Sequence, residues 1–295
     1  MDSLNYKARA KINLGLDVCR RLENGYHEVK MIMQTVDIYD ELILTKRQEP
    51  DIILIVNSVD DLGKPEDNLI YKAAKRMREH YGIAQGIEIR LKKNIPVAAG
   101  MAGGSTDAAG VMLAMNELFG LNRSKKELMT LALPLGADIP FCIMGGTALA
   151  EGIGEKLTPL PAPPCARLVV VKPPIMVPTG KVYQSLDLNG LKMHPDIDGM
   201  TAALADGDLD GIVRRMENVM ETVTEMEFPI ITDIKNMLTG NGALGAMMSG
   251  SGPSIFGVFT DTAMAEAAAQ YVDRTLRQKE ICAQIYVTTF YNDQE

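Results

Sequence analysis

The sequence predicts a two-domain protein of the α+β class, and three observations point there. The chain has 295 residues, 46% of them hydrophobic, which is enough for a large core and more than one domain commonly holds. It opens with period-two strand patterns and then mixes helix and strand patterns. The proline-rich run Thr158-Pro159-Leu160-Pro161-Ala162-Pro163-Pro164 separates residues 1–160 from residues 161–295, and the second part ends in the order strand, turn, strand, helix, strand.

Taken in order, Lys7 to Val18 alternates, with Ala10, Ile12, Leu14 and Leu16 on one face and Arg9, Lys11, Asn13 and Gly15 on the other, as a half-buried strand does. Gly25 marks a turn, and residues 29–35, 41–46 and 51–56 read as further strands. Asn68 to Tyr81 carries apolar Leu69, Ala73, Ala74, Met77 and Tyr81 and stops at Gly82, which predicts an amphipathic helix. A strand over 87–91 leads into the small-residue loop Pro96-Val97-Ala98-Ala99-Gly100-Met101-Ala102-Gly103-Gly104-Ser105-Thr106-Asp107-Ala108-Ala109. Ser105, Thr106 and Asp107 are N-cap types, and Ala108, Val111, Met112, Met115 and Leu118 follow at helical spacing, so a helix is expected from near Ser105 to Gly120. A short helix over 125–133, a loop over 134–140 holding Asp138, and a strand pair over 145–154 complete the first part.

In the second part, residues 167–172 predict a strand. Residues 179–186, 199–205, 209–223 and 229–238 predict helices. The closing elements are strands over 245–249 and 254–260, a helix over 262–279 and a strand over 282–290, an α+β arrangement. No long repeat or heptad run interrupts them.

The loop over 96–109 has the makings of an anion cradle. A helix start leaves N–H groups unpaired and carries partial positive charge, and a loop without bulky side chains ahead of it lets phosphate approach those amides. A tight turn with close helix packing is the competing reading. The pattern G-x-x-x-x-G-K-[ST] is absent, and no G-x-G-x-x-G follows a strand in dinucleotide-binding fashion. Asp138 lies among apolar neighbours, where a loop carboxylate either caps a helix or, partly desolvated, serves as a base. Lys11 beside Asn13 fits either a solvated strand edge or a polar site, and Ser249-Gly250-Ser251-Gly252-Pro253-Ser254 either a hairpin turn or a second small-residue loop.

A formal net charge of −8 disfavours a nucleic-acid surface, and no apolar run is long enough to span a bilayer. Met1-Asp2-Ser3-Leu4-Asn5 lacks a signal-peptide pattern, so a cytoplasmic protein is expected. Cys19, Cys142, Cys165 and Cys282 form no C-x-x-C pair, which argues against zinc and leaves all four as expected packing residues.

Three of these stretches stand in one order: Lys11-Ile12-Asn13-Leu14, the loop over 96–109, and Met248-Ser249-Gly250-Ser251-Gly252-Pro253. Together they resemble the GHMP kinase superfamily, named for galactokinase, homoserine, mevalonate and phosphomevalonate kinases, whose glycine-rich loop is similar to P-x-x-x-G-L-G-S-S-A-A. Asn24-Gly25-Tyr26-His27-Glu28 and Gly136-Ala137-Asp138-Ile139-Pro140-Phe141 narrow the resemblance to members acting on a cytidine-diphosphate-linked polyol in the non-mevalonate isoprenoid route. It covers essentially the whole chain.

The resemblance implies an N-terminal domain like domain 2 of ribosomal protein S5 and a ferredoxin-like α+β C-terminal domain. It implies transfer of the terminal phosphoryl of ATP to the C2 hydroxyl of the polyol, with Asp138 as general base and Lys11 as charge stabiliser. Pro96, Val97, Ala98, Ala99, Gly100, Met101, Ala102, Gly103, Gly104, Ser105 and Thr106 would seat ATP, with Asn68 and Lys93 near adenine and ribose. Asn13 would contact substrate, Tyr26 and His27 would read cytosine, and Tyr183 would stack on it. Magnesium is implied by ATP, with the Ser105 and Thr106 hydroxyls as candidate ligands. Ala98, Ala99 and Ala102 stand where relatives often have glycine, Met101 where they have Leu, and Thr106-Asp107 where Ser-Asn or Ser-Ala is common; Asp107 is expected to face away from phosphate. A GHMP kinase for another small alcohol such as homoserine, and a non-catalytic nucleotide or metabolite sensor on the same scaffold, are the alternatives. Retention of Lys11 and Asp138 counts against the sensor.

Overall fold

A computed structural model describes residues 2–23, 25–58, 63–188, 190–191 and 193–292, so Asn24 of the first turn motif lies outside the described residues. The elements in chain order are β1 (Ser3–Arg21), β2 (His27–Arg47), β3 (Ile52–Asn57), α1 (Leu69–Tyr81), β4 (Gly86–Lys92), α2 (Gly103–Leu118), α3 (Lys125–Ala132), α4 (Ile139–Met144), β5 (Thr147–Gly152) and β6 (Lys156–Leu160). They continue as β7 (Arg167–Lys172), α5 (Thr179–Ser185), α6 (Ile197–Asp206), α7 (Leu209–Val213), α8 (Glu221–Glu227), α9 (Ile230–Gly240), β8 (Gly245–Met248), β9 (Ile255–Phe259), α10 (Thr262–Gln278) and β10 (Gln284–Thr289). The chain forms two compact units: Met1–Ala10, Ile38–Val97 and Ala102–Gly145 in the first, Lys11–Asp37, Ala98–Met101 and Gly146–Glu295 in the second.

In the first unit, Glu41–Arg47 of β2 runs antiparallel to β4, and β4 runs parallel to β3 with α1 as the crossover. Leu42, Leu44, Ile87, Ile89 and Leu91 line the core, and Ala73, Ala74 and Met77 of α1 with Ala108, Val111, Met112 and Met115 of α2 fill it. Each large apolar side chain so buried contributes about 1.5–3 kcal/mol. Helix α2 is buried on nearly all sides, from Thr106 to Met112 and again at Ala114, Met115 and Leu118, which fixes its axis and therefore where its N-terminus points. Asn68 accepts the Ile70 N–H at 2.9 Å and caps α1, and Gly82 ends that helix in the left-handed region.

In the second unit, Val29–Gln34 of β2 pairs antiparallel with β5, which turns back into β6. A separate antiparallel sheet has the order β10-β7-β9-β8, and α9 and α10 pack on it. This matches the expected strand, turn, strand, helix, strand ending.

Several local expectations are corrected. The expected strands at 29–35 and 41–46 are one 21-residue strand, because Asp40, a poor strand residue, is fully buried and has its own partners, Lys93 and the Asn94 and Ile95 amides. The expected helix over 209–223 breaks into α7 and α8; Asn218 between them bridges to Leu16 and donates through Nδ2 to the Met248 and Gly250 carbonyls. Residues 134–140 contain one turn of 3₁₀ helix and the start of α4, with Asp138 at its N-cap position. Cys19, Cys165 and Cys282 are exposed, at a strand end or in connections, and are not the packing residues expected, whereas Cys142 is half-buried and packs against the core of the first unit, as expected.

Candidate active site

Helix α2 begins at Gly103, two residues before the expected start, and its N-cap is Ala102 at φ 55°, ψ 32° rather than a hydroxyl or carboxylate residue. The Ala102 carbonyl accepts the Thr106 N–H at 2.9 Å. The N–H groups of Gly103, Gly104 and Ser105 have no acceptor among the described residues. Gly104 is exposed, and a Cβ there would meet only Leu69 Cδ1, at 3.7 Å. Unpaired amides at the positive end of a buried helix, with room for a ligand beside Gly104, fit a phosphate. Thr106 is turned inward: it is 3% exposed and its hydroxyl donates to the Arg9 carbonyl, while Ser105 is half-buried.

Residues Ala98–Met101 are gripped within the second unit. The Lys11 N–H donates to the Met101 carbonyl at 3.2 Å and the Ser254 N–H to the Ala99 carbonyl at 3.3 Å. Ser249 Oγ accepts the Asn13 N–H at 3.3 Å and donates to the Gly100 carbonyl at 3.0 Å, so one hydroxyl ties β1 to the loop. Gly100 has φ +72°, and a Cβ on it would lie 2.1 Å from the Ser249 carbonyl oxygen, which excludes any side chain. Ala98 adopts φ 50° and is exposed, while Pro96 and Ala99 are buried and Val97 half-buried.

Lys11 is 5% exposed on β1, and its Nζ donates to Asn13 Oδ1 at 2.9 Å, as side chains at i and i+2 of a strand share a face. Asn13 is fully buried and its Nδ2 lies 3.2 Å from Met31 Sδ. Among the described residues no carboxylate in the second unit pairs with Lys11. An ammonium so buried with only a neutral oxygen for company favours an anionic ligand. Asp138 is half-buried in the first unit, and its carboxylate makes neither a cap bond nor an ion pair there among the described residues.

In the second unit the His27 and Tyr183 rings stack, with centroids 4.9 Å apart and planes inclined by 25°. Burial, then the Arg21 charge, push the His27 imidazole below its ordinary range, which favours the neutral ring. Tyr26 is 61% exposed at a turn closed by the Leu22 N–H on the Tyr26 carbonyl at 2.7 Å. The imidazole of His27 and the stacked phenol of Tyr183 form an aromatic pair with hydrogen-bonding edges.

Asn68 and Lys93, expected beside adenine and ribose, are otherwise engaged. The Asn68 side-chain oxygen caps α1. The Lys93 ammonium sits between the Asp40 carboxylate and Asp107, at 2.9 Å from the latter. Asp107 is 2% exposed and pairs with Lys93. Asp40 and Asn218 are buried polar partners that the sequence patterns do not single out; for Asp40 the available signal is an acid in the middle of an apolar strand pattern.

The family model for the GHMP kinases N terminal domain matches residues 68–146, and that for GHMP kinases C terminal matches residues 200–278. A 4-diphosphocytidyl-2-C-methyl-D-erythritol kinase of Lachnospira eligens is 50% identical over 288 residues, covering 98% of each chain. One of Caldicellulosiruptor bescii is 43% identical over 286 residues, covering 97% of this chain and 98% of the relative. The crystal structure of a 4-(cytidine 5'-diphospho)-2C-methyl-D-erythritol kinase superposes with a TM-score of 0.82 at 32% identity, covering 98% of this chain and 100% of that one. The two-domain fold of mixed α and β content is that of the GHMP kinases, which are ATP-dependent phosphotransferases. On near-full-length identity, both halves of the family model and the shared fold, this chain belongs to the GHMP kinase superfamily and, within it, to the family of the 4-diphosphocytidyl-2-C-methyl-D-erythritol kinases.

Proposed function

We propose that this chain transfers the terminal phosphoryl group of ATP to the C2 hydroxyl of 4-diphosphocytidyl-2-C-methyl-D-erythritol, giving the 2-phosphate and ADP in the non-mevalonate route to isoprenoid precursors. The observation that carries the proposal is 50% identity over 98% of both chains with a kinase of that name. The unpaired amides of Gly103, Gly104 and Ser105 support a seat for ATP phosphate. ATP supplies the phosphoryl group and a good leaving group. What falls to the protein is placement and charge, because phosphoryl transfer asks for little covalent work.

In this reading Asp138 orients the attacking hydroxyl and takes its proton, and Lys11, fixed by Asn13, offsets charge on the transferred group. Tyr26, His27 and Tyr183 hold the cytosine, the neutral His27 offering one ring donor and one acceptor. Magnesium would be carried by the nucleotide phosphates, with Ser105 as the protein hydroxyl nearest in role. Among the described residues no helix is long and apolar enough to cross a membrane.

A coupled assay for ADP release tests the roles. Asp138→Asn is expected to lower kcat by about 10²–10⁴, the usual contribution of a general base, with little change in either KM. A variant that keeps full turnover would remove Asp138 from that role.

A further inference from the structure

The ATP loop is held from behind by a buried polar cluster in the first unit. Asp40 of β2 is fully buried; its Oδ1 accepts the Asn94 N–H at 2.5 Å and the Ile95 N–H at 2.8 Å, and its Oδ2 accepts from the Lys93 ammonium. The Lys93 ammonium also donates to Asp107 Oδ2 at 2.9 Å, in the second turn of α2. A Cβ built on Gly103, the first residue of α2, would lie 3.2 Å from Lys93 Nζ. Asp40 therefore reaches both ends of the small-residue loop: the segment before it through two backbone amides, and the helix after it through Lys93.

Stability alone gives no reason for this arrangement, since a buried ion cluster is often matched or bettered by apolar residues of similar volume. Directional bonds to backbone amides fix position, which apolar packing does less sharply. Asp107 Oδ1 is left without a partner, so the cluster is not optimised for its own satisfaction. The Lys93 side chain is 7% exposed with two carboxylates on its ammonium, which suits a brace rather than a nucleotide contact.

We propose that Asp40 is a positioning residue for ATP, acting through the Asn94 and Ile95 amides and Lys93 to hold the Gly103–Ser105 amides in place before nucleotide arrives. The proposal rests on the reading that this loop seats ATP. Asp40→Asn keeps one acceptor oxygen and loses the charge on Lys93, whereas Asp40→Ala loses both.

The test is steady-state kinetics on purified full-length variants, with the KM for ATP and for the polyol measured separately. Asp40→Ala is expected to raise the KM for ATP by about tenfold and Asp40→Asn by about threefold, with the KM for the polyol within about twofold of the parent in both. A purely structural role would lower the active fraction and leave both KM values alone. Unchanged KM for ATP in the Asp40 variants, or a parallel rise in both KM values, overturns the proposal. If Asp40→Ala does not fold, Asp40→Asn decides by the same criterion. Gly104→Val, which crowds the exposed amides directly, separates the two levels. If it leaves the KM for ATP unchanged, the loop does not seat ATP and the proposal falls with that reading; if it raises the KM for ATP while the Asp40 variants do not, the positioning role alone fails.

Discussion

Lys93 between Asp40 and Asp107, and Lys235 between Glu221 and Glu225, are the same arrangement at two depths. In the first, the side chains are 7%, 0% and 3% exposed; in the second, 23%, 14% and 25%. Each braces the approach to a small-residue loop. Asp40 accepts the amides of Asn94 and Ile95 ahead of Ala98–Gly104, and Glu221 accepts the Met248 N–H at 2.6 Å ahead of Ser249–Pro253. The loops themselves differ. The C-terminal one reaches positive φ with Gly250 and Gly252, whereas the first uses Ala98 and Ala102 beside Gly100. Water shares the charge of the shallower cluster, while the deeper one depends on its own internal balance and supports a loop whose backbone is strained.

The widest separation between the two clusters is expected on removing the lysine. Lys93→Met leaves two buried carboxylates without a counter-charge and is expected to destabilise by about 3–5 kcal/mol, whereas Lys235→Met, whose carboxylates reach water, is expected to lose about 1–2 kcal/mol. Urea unfolding measures both, and equal losses would erase the distinction of depth. Next in size is Ser249→Ala, which removes the hydroxyl between the Asn13 N–H and the Gly100 carbonyl; a loss of about 1–3 kcal/mol is expected by the same measurement.

A smaller effect comes from pH. Burial, opposed by Lys93 and reinforced by Asp40, pushes the Asp107 carboxyl well above the ordinary aspartate range. The native state therefore binds more protons than the unfolded chain once pH rises above the ordinary aspartate value, and stability falls through that window. Asp107→Asn removes this slope, so the variant is expected to gain on the parent as pH rises above the ordinary aspartate range, read by urea unfolding at a series of pH values. A gain that shrinks with rising pH would reverse the assignment. The loops give the last comparison. Ala98→Gly and Ala102→Gly are each expected to add about 0.5–1 kcal/mol by relieving left-handed alanines, and Gly252→Ala, at φ +89° with Met248 Sδ 2.5 Å from the new Cβ, to lose about 1–2 kcal/mol.

These contrasts also mark what the sequence discloses. The Asn68 cap and the closing strand, turn, strand, helix, strand order are local patterns and appear where they were expected, whereas β1 is a strand where its alternation predicts one but is buried on both faces from Ala10 to Val18 rather than half-buried, Lys11 and Asn13 included. Asp40 finds its partners Lys93 and Asp107 more than fifty residues away, so in sequence it reads only as an interruption between two strands. Asn218 breaks an apparently continuous helix because its side chain is claimed by carbonyls thirty residues on, which no periodicity reveals. The cradle is recognisable from its small residues and helix pattern, but its start is displaced to Gly103 because a strained Ala102, rather than a favoured cap residue, turns the chain.

What this chain phosphorylates is the central question. Phosphorus NMR of a reaction holding the enzyme, magnesium ATP and 4-diphosphocytidyl-2-C-methyl-D-erythritol should show a new phosphomonoester signal growing in step with ADP, beside an unbroken diphosphate, and none when homoserine replaces the polyol. ADP formed without that signal, or a phosphomonoester from homoserine at a comparable rate, would contradict the proposed transfer.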